Sequence, residues 1–368
     1  MSGSISEKEE RKRRNEVKKE FTLNFEKKIA KLVLPKIQFK GNVSKRKLIK
    51  EKVFSGFVSN LNIFKNYIIL TVKSELQFYT EDLKLIFSQK FFNNEREYVL
   101  GLNLINDETI VVSATDKVRI FNFYEKELTK ITYELIQEIE GTEFYGVNEK
   151  LSNGFLLLGG IDRKFRFYEL QNENNQKISK DNKYQLVFSI DKVHNVYDDD
   201  IPGVVDLNNG RIFSWENDDK NIKVIQYYPP SKVGIIKSKK DICLHNAGLI
   251  SDKYLLLMGL KYPKYFSWLM DTETLEIVKK WETPQNDCFN CLLCENKFIY
   301  SSNKRIACDE FCIYNGGFYR KNIYETYFNE DKTEDFHKRF GVHIFLNENT
   351  FITTNIDGKL MIFSCEQD

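Results

Sequence analysis

One pattern recurs seven times along this chain: an apolar stretch, a short turn of Asn, Asp, Gly or Lys, a second apolar run, a polar turn, and a third run of alternating aromatic and β-branched residues. The clearest copy runs Leu151-Ser152-Asn153-Gly154, then Phe155 to Gly160, a turn at Asp162, and Phe165 to Leu170. The next repeats it as Leu207-Asn208-Asn209-Gly210, Arg211 to Trp215, Asp219, and Ile222 to Tyr227. Marked by the first residue of the second run, the copies begin at Tyr67, Thr109, Phe155, Arg211, Tyr254, Phe298 and Phe351, separated by 42, 46, 56, 43, 44 and 53 residues. A period of roughly 40 to 50 residues built from period-2 strands is that of a β-propeller, whereas a helical solenoid needs a period of about 3.6. The two long intervals hold polar insertions such as Gln171 to Lys183.

The strand chemistry agrees with stacked blades. Strands covered on both faces read as unbroken apolar runs, as in Tyr67 to Leu70, Phe155 to Leu158 and Tyr254 to Met258. Half-exposed strands alternate, as Phe165 and Phe167 do about Arg166, and Ile222 and Val224 about Lys223. Asn153-Gly154 and Asn209-Gly210 provide the positive φ angles of tight two-residue hairpins. The last copy ends at Ser364 without a fourth strand, so Lys47 to Phe54, ahead of the first copy, is its natural donor and would latch the two chain ends together. The expected fold is therefore all-β, a seven-bladed propeller over residues 47–368, preceded by a basic and partly helical arm over 1–46.

The turn aspartates Asp116, Asp162, Asp219 and Asp357, each followed by alternating apolar residues, resemble those of the WD-repeat propellers over about residues 53–364. In that family the aspartate sits in the turn between the second and third strands. This chain departs from the pattern: no unit carries a Trp-Asp dipeptide and no Gly-His pair introduces a blade. The resemblance implies a binding platform, and the Phe-Arg-Arg-Gly sequence of phosphoinositide-binding propellers is missing.

Charge is unevenly distributed. Residues 1 to 52 hold 17 Lys or Arg against 7 Asp or Glu, a net of +10, while the remaining 38 basic and 46 acidic residues give the body −8. Within the arm, Val17, Phe21, Phe25, Ile29 and Leu32 recur at helical spacing, with no Pro or Gly from Glu7 to Leu34. Other positions carry Lys18, Lys19, Lys27, Lys28 and Lys31, and Arg11, Lys12, Arg13 and Arg14 form a basic run. Such a segment suits docking on the propeller or in a partner's groove, contact with nucleic acid, or nuclear targeting.

No chemistry-bearing motif competes with this reading. Cys288, Cys291 and Cys294, with Cys308 and Cys312, have a metal-like spacing, but residues three apart on a strand point to opposite faces. The four histidines form no ligand pair, Asp198 to Asp200 with Asp218 and Asp219 read as a solvated loop, and there is no phosphate loop, nucleophile elbow or His-Glu-x-x-His segment. The expected protein is intracellular, cytoplasmic or nuclear, with seven reduced cysteines, no membrane span, no cofactor and no small-molecule substrate. Its expected role is a non-catalytic scaffold in a larger complex, with Arg11 to Arg14, Lys18, Lys19, Tyr227 and Tyr262 as candidate contacts. The alternatives are a nucleic-acid or ribonucleoprotein subunit binding through the arm, and an enzyme of unknown type with a central-channel site.

Overall fold

The computed structural model describes residues 46–365 apart from short connectors, of which 92–98, 172–177, 195–202, 217–221, 284–289 and 328–339 are the longest. The described strands form seven antiparallel sheets of four strands each. In chain order, sheet 1 comprises Val58–Phe64, Tyr67–Val72, Glu75–Tyr79 and Leu85–Lys90, and sheet 2 comprises Gly101–Leu104, Thr109–Ser113, Lys117–Glu127 and Lys130–Glu140. Sheet 3 follows as Phe144–Lys150, Leu156–Gly160, Phe165–Leu170 and Tyr184–Ile190, and sheet 4 as Gly203–Asp206, Arg211–Trp215, Ile222–Gln226 and Gly234–Lys239. Sheet 5 is Cys243–Ser251, Tyr254–Lys261, Lys264–Asp271 and Ile277–Thr283, and sheet 6 is Asn290–Cys294, Lys297–Ser301, Arg305–Tyr314 and Gly317–Tyr327. Sheet 7 takes three strands from the end of the chain, Phe340–Asn347, Thr350–Asn355 and Lys359–Cys365, and its fourth, Arg46–Val53, from the start.

The sheets close into a ring. The first strand of sheet 1 lies beside those of sheets 2 and 7, and each remaining first strand touches its predecessor and successor in the same way. First strands are thus innermost and fourth strands form the rim. The closing strand pairs antiparallel with Lys359–Cys365, setting Arg46 opposite Cys365 and Val53 opposite Lys359. This covers an edge that would otherwise present unpaired backbone groups.

Side-chain burial follows from stacking sheets face to face. Every residue of the second strands of sheets 1, 2 and 3 is buried, because each has a neighbouring sheet on both sides. Third strands alternate at their start, with Phe165 and Phe167 buried around the partly exposed Arg166. The core is divided into clusters lying between adjacent sheets. Phe64, Phe78, Phe121 and Phe123 join sheets 1 and 2, Leu157, Phe167, Ile212 and Tyr227 join sheets 3 and 4, and Ile68, Leu70, Ile352 and Ile362 join sheets 7 and 1.

Two local features go beyond the expected hairpins. The loops at Asn153-Gly154 and Asn209-Gly210 have three residues rather than two: Leu151 and Leu207 donate their amides across the loop to the carbonyls of Phe155 and Arg211, at 2.8 and 2.9 Å. A three-residue loop closes with a left-handed residue, and Gly154 and Gly210 fill that place at φ +91° and +76°. At Gly210 a side chain is excluded twice over, since a Cβ would also lie 2.6 Å from the carbonyl oxygen of Tyr228.

The second feature is a bulge repeated at the same register in all seven rim strands. One residue of each rim strand has no partner on the third strand: Ile86, Ile136, Val187, Ile236, Val278, Ile323 and Ile49. All seven are β-branched. A bulge sets two residues against one, which breaks the in-out alternation and increases local twist, so it turns an edge away from further pairing.

Candidate interaction face

Antiparallel sheets in a ring create two faces. Turns joining first to second and third to fourth strands open on one, here called the hairpin face; second-to-third turns and the connections between sheets open on the other. Near the inner edge of the hairpin face, three successive sheets each contribute a carboxylate. Glu149 stands one residue from the end of the first strand of sheet 3, Asp206 ends that of sheet 4, and Asp252 sits in the first hairpin turn of sheet 5.

These carboxylates are tied across the sheet boundaries. The amide of Asn103 in sheet 2 donates to Glu149 Oε2 and to the carbonyl of Asn148, both at 2.8 Å, and Lys150 Nζ donates to the carbonyl of Ile105 at 2.9 Å. Asp206 accepts the backbone amides of Ser152 at 2.5 Å and Asn208 at 3.1 Å, and the Tyr227 hydroxyl at 3.1 Å. Asn208 in turn donates Nδ2 to Asp252 Oδ1 at 3.0 Å. Surrounding protein pushes the Glu149 carboxyl up to about 7; the Asn103 donor opposes this shift and the nearby charge of Asp206 adds to it. Although solvent reaches Glu149, it is enclosed by the walls of the ring, where field lines concentrate and a cationic group is favoured.

Tyr227 is a core residue and not a surface contact. It is fully buried, with its ring stacked on Phe167 and its hydroxyl directed to Asp206. The reason is local: its amide bonds the carbonyl of Gly210 at 2.9 Å, which continues the ladder one residue past Gln226, so its ring falls on the same face as Ile225 and packs between sheets 3 and 4. The adjacent aromatic, Tyr228, is the one presented outward, at 52% exposure. The expectation of Tyr227 as a loop contact fails because the strand ladder runs one residue past Gln226 and so turns Tyr227 into the core.

Of the turn aspartates, Asp162 lies within the described residues. Its Oδ1 accepts the amide of Lys164 at 3.2 Å and its carboxylate grips the Arg166 guanidinium, so the turn is braced against the third strand of its own sheet. Asp116, Asp219 and Asp357 lie outside the described residues, as do Arg11, Lys12, Arg13, Arg14, Lys18, Lys19, Tyr262, Cys288 and the Asp198 to Asp200 loop. Cys291 and Cys294 belong to the first strand of sheet 6, and Cys308 and Cys312 to its third. In register, Cys308 lies opposite Ile299, which lies opposite Leu292, so the backbone does not align it with either first-strand cysteine. No group of three or more His, Cys, Asp or Glu suited to a metal ion occurs among the described residues.

The sequence also undervalued His194. This residue precedes sheet 4 and is buried, with Nε2 2.8 Å from Ser214 Oγ on the second strand and Nδ1 3.9 Å from Glu216 Oε2 beyond it. Ser214 Oγ also donates to the carbonyl of Gly203 on the first strand, at 3.0 Å. A Ser, a His and a carboxylate in sequence suggest a nucleophile and its base. Here Ser214 has zero exposure and its proton is committed to backbone, so the cluster fastens the incoming connection to two strands. The signal was the histidine's position just before a sheet, with Val193 where a Gly-His pair would carry glycine.

The fold is that of a WD-repeat-like β-propeller. Among solved structures, a chain of a crystal structure of the mitotic checkpoint complex is similar to it over 92% of this chain and 99% of that one, with a TM-score of 0.63 and 11% sequence identity. No family model matches the chain, and no curated protein matches it. Among the described residues no helix is long and apolar enough to cross a membrane.

Proposed function

We propose that this chain is a non-catalytic scaffold of a multi-protein assembly inside the cell, its seven sheets acting as blades that hold a partner over the hairpin face. The observation carrying this reading is the row of carboxylates Glu149, Asp206 and Asp252 at the inner edge of three successive sheets, with Tyr228 exposed in the third-to-fourth turn of sheet 4. Carboxylates held by backbone and amide donors form a rigid acidic edge, and an exposed tyrosine adds apolar contact area at low entropic cost. A partner segment rich in Lys or Arg is the complementary ligand. Likeness to a chain from a multi-protein complex favours the same kind of role.

The test is affinity isolation of the full chain beside a variant carrying Glu149→Lys, Asp252→Lys and Tyr228→Ala, with mass spectrometry of the retained proteins. Loss of specific partners at unchanged thermal stability is expected. An identical set of retained proteins from both would remove the hairpin face from the reading.

A second reading rests on the net charge of +10 in residues 1 to 52, which suits nucleic-acid phosphates. On this reading Arg11 to Arg14, Lys18 and Lys19 make the contacts, and retention of RNA or DNA falls steeply with salt. Retention unchanged after removal of residues 1 to 46 would exclude it.

A further inference from the structure

The repeated bulge has a consequence at the molecular surface. In five sheets the residue immediately before the bulged one is exposed: Leu48, Leu85, Leu135, Leu186 and Ile235, at between 41% and 54%. Bulged Ile49 and Val187 are exposed as well. Because the bulge recurs at one register, these side chains stand at one level on the rim, toward the hairpin face on which each rim strand begins. An apolar girdle of this kind, interrupted by charged residues, is costly to leave in water.

We propose that its sector over sheets 7 and 1, formed by Leu48, Ile49 and Leu85, is covered by the chain's own residues 17 to 32, docked as a helix through Val17, Phe21, Phe25, Ile29 and Leu32. Connectivity selects this occupant. Arg46 opens the rim strand of sheet 7, two residues from Leu48, and lies opposite Cys365 on the hairpin-face side. The segment therefore enters the described fold at the level of the girdle. The same rim strand is fixed to sheet 1 next to Leu85, since Lys50 pairs with Asp82 and Lys52 Nζ donates to the carbonyl of Leu83 at 3.2 Å. Leu48, Ile49 and Leu85 thus belong to neighbouring rim elements held together.

Reach and length are adequate. The eleven residues 35 to 45 span at most about 36 to 40 Å when extended, enough to reverse direction and lie along the rim. Sixteen residues of helix cover about 24 Å. A tethered segment also meets its site at an effective concentration on the order of millimolar, so a modest apolar contact suffices. The basic run Arg11 to Arg14 lies outside the docked stretch and stays free to meet another macromolecule.

Hydrogen–deuterium exchange of the full chain tests this. Amides within residues 17 to 32 should be protected independently of protein concentration, and Leu48→Glu with Leu85→Glu should release them. Both rim side chains are exposed, which favours a folded variant. As a second route that leaves the body untouched, Phe21→Glu with Phe25→Glu should abolish the same protection and raise binding of an apolar dye by the uncovered rim. Unprotected amides in the parent chain, protection insensitive to the rim substitutions, or protection that fades on dilution, as for a second copy, would each overturn the proposal. So would unchanged dye binding in the arm variant.

Discussion

Glu149 shows how one carboxylate's surroundings govern the pH response of the ring. Its carboxyl titrates near 7 in the folded chain and at the ordinary 4.5 when unfolded, so between these values the folded state binds the proton more tightly. The associated stability is fully present below about pH 4.5 and is lost as pH rises through about 7. Glu149→Gln, which cannot ionise, should therefore lose less melting temperature than the parent between about pH 5 and pH 8, as differential scanning fluorimetry in paired buffers would reveal. An identical pH dependence would mean that Glu149 does not feel its neighbours. The buried polar residues of sheet 4 act in another way. Tyr227→Phe removes the hydroxyl bond to Asp206 and should cost about 0.5–1.5 kcal/mol, whereas His194→Ala withdraws a partner from buried Ser214 and should cost about 1–3 kcal/mol. Urea unfolding of the two variants would rank them. Neither effect was legible in the sequence, because both depend on residues 20 or 21 positions apart meeting across a sheet.

At the scale of elements, the sequence conveyed the strands and their order because burial leaves a period-2 or continuous apolar record. The observed second strands begin at Tyr67, Thr109, Leu156, Arg211, Tyr254, Lys297 and Thr350, within one residue of the markers read from the repeat. The closing strand was legible for a different reason: a sheet with three strands demands a fourth. Deleting residues 1 to 53 should leave Lys359–Cys365 as an open edge, and size-exclusion chromatography should show aggregates in place of the monomer obtained after deleting 1 to 45 alone. Equal behaviour of the two deletions would deny the closing strand any stabilising role. The rim bulges escaped notice even though four of the seven fall in plain Leu-Ile or Leu-Val pairs, since a bulge is defined by the register of two strands and a single strand carries no register.

For the molecule as a whole, closure makes every sheet depend on two neighbours. Core clusters span the boundaries from sheet 7 through sheet 1 to sheet 5, so these sheets do not bury their apolar residues alone. An open array can unfold from its ends, but a ring has none. Calorimetry should accordingly record one transition whose calorimetric and van't Hoff enthalpies agree, and two resolved transitions would indicate that closure does not couple the sheets.

The sequence by itself determined the all-β repeat, the place of each strand and the contrast between a basic start and an acidic body, because side-chain periodicity and charge are local properties of a chain. Tertiary structure alone decided that Tyr227 turns inward and Tyr228 outward, that His194 binds Ser214, that three carboxylates share one edge, and that the bulges align into a girdle. Each of these is set by which strands become neighbours, and ring closure fixes that through contacts between residues far apart in the chain.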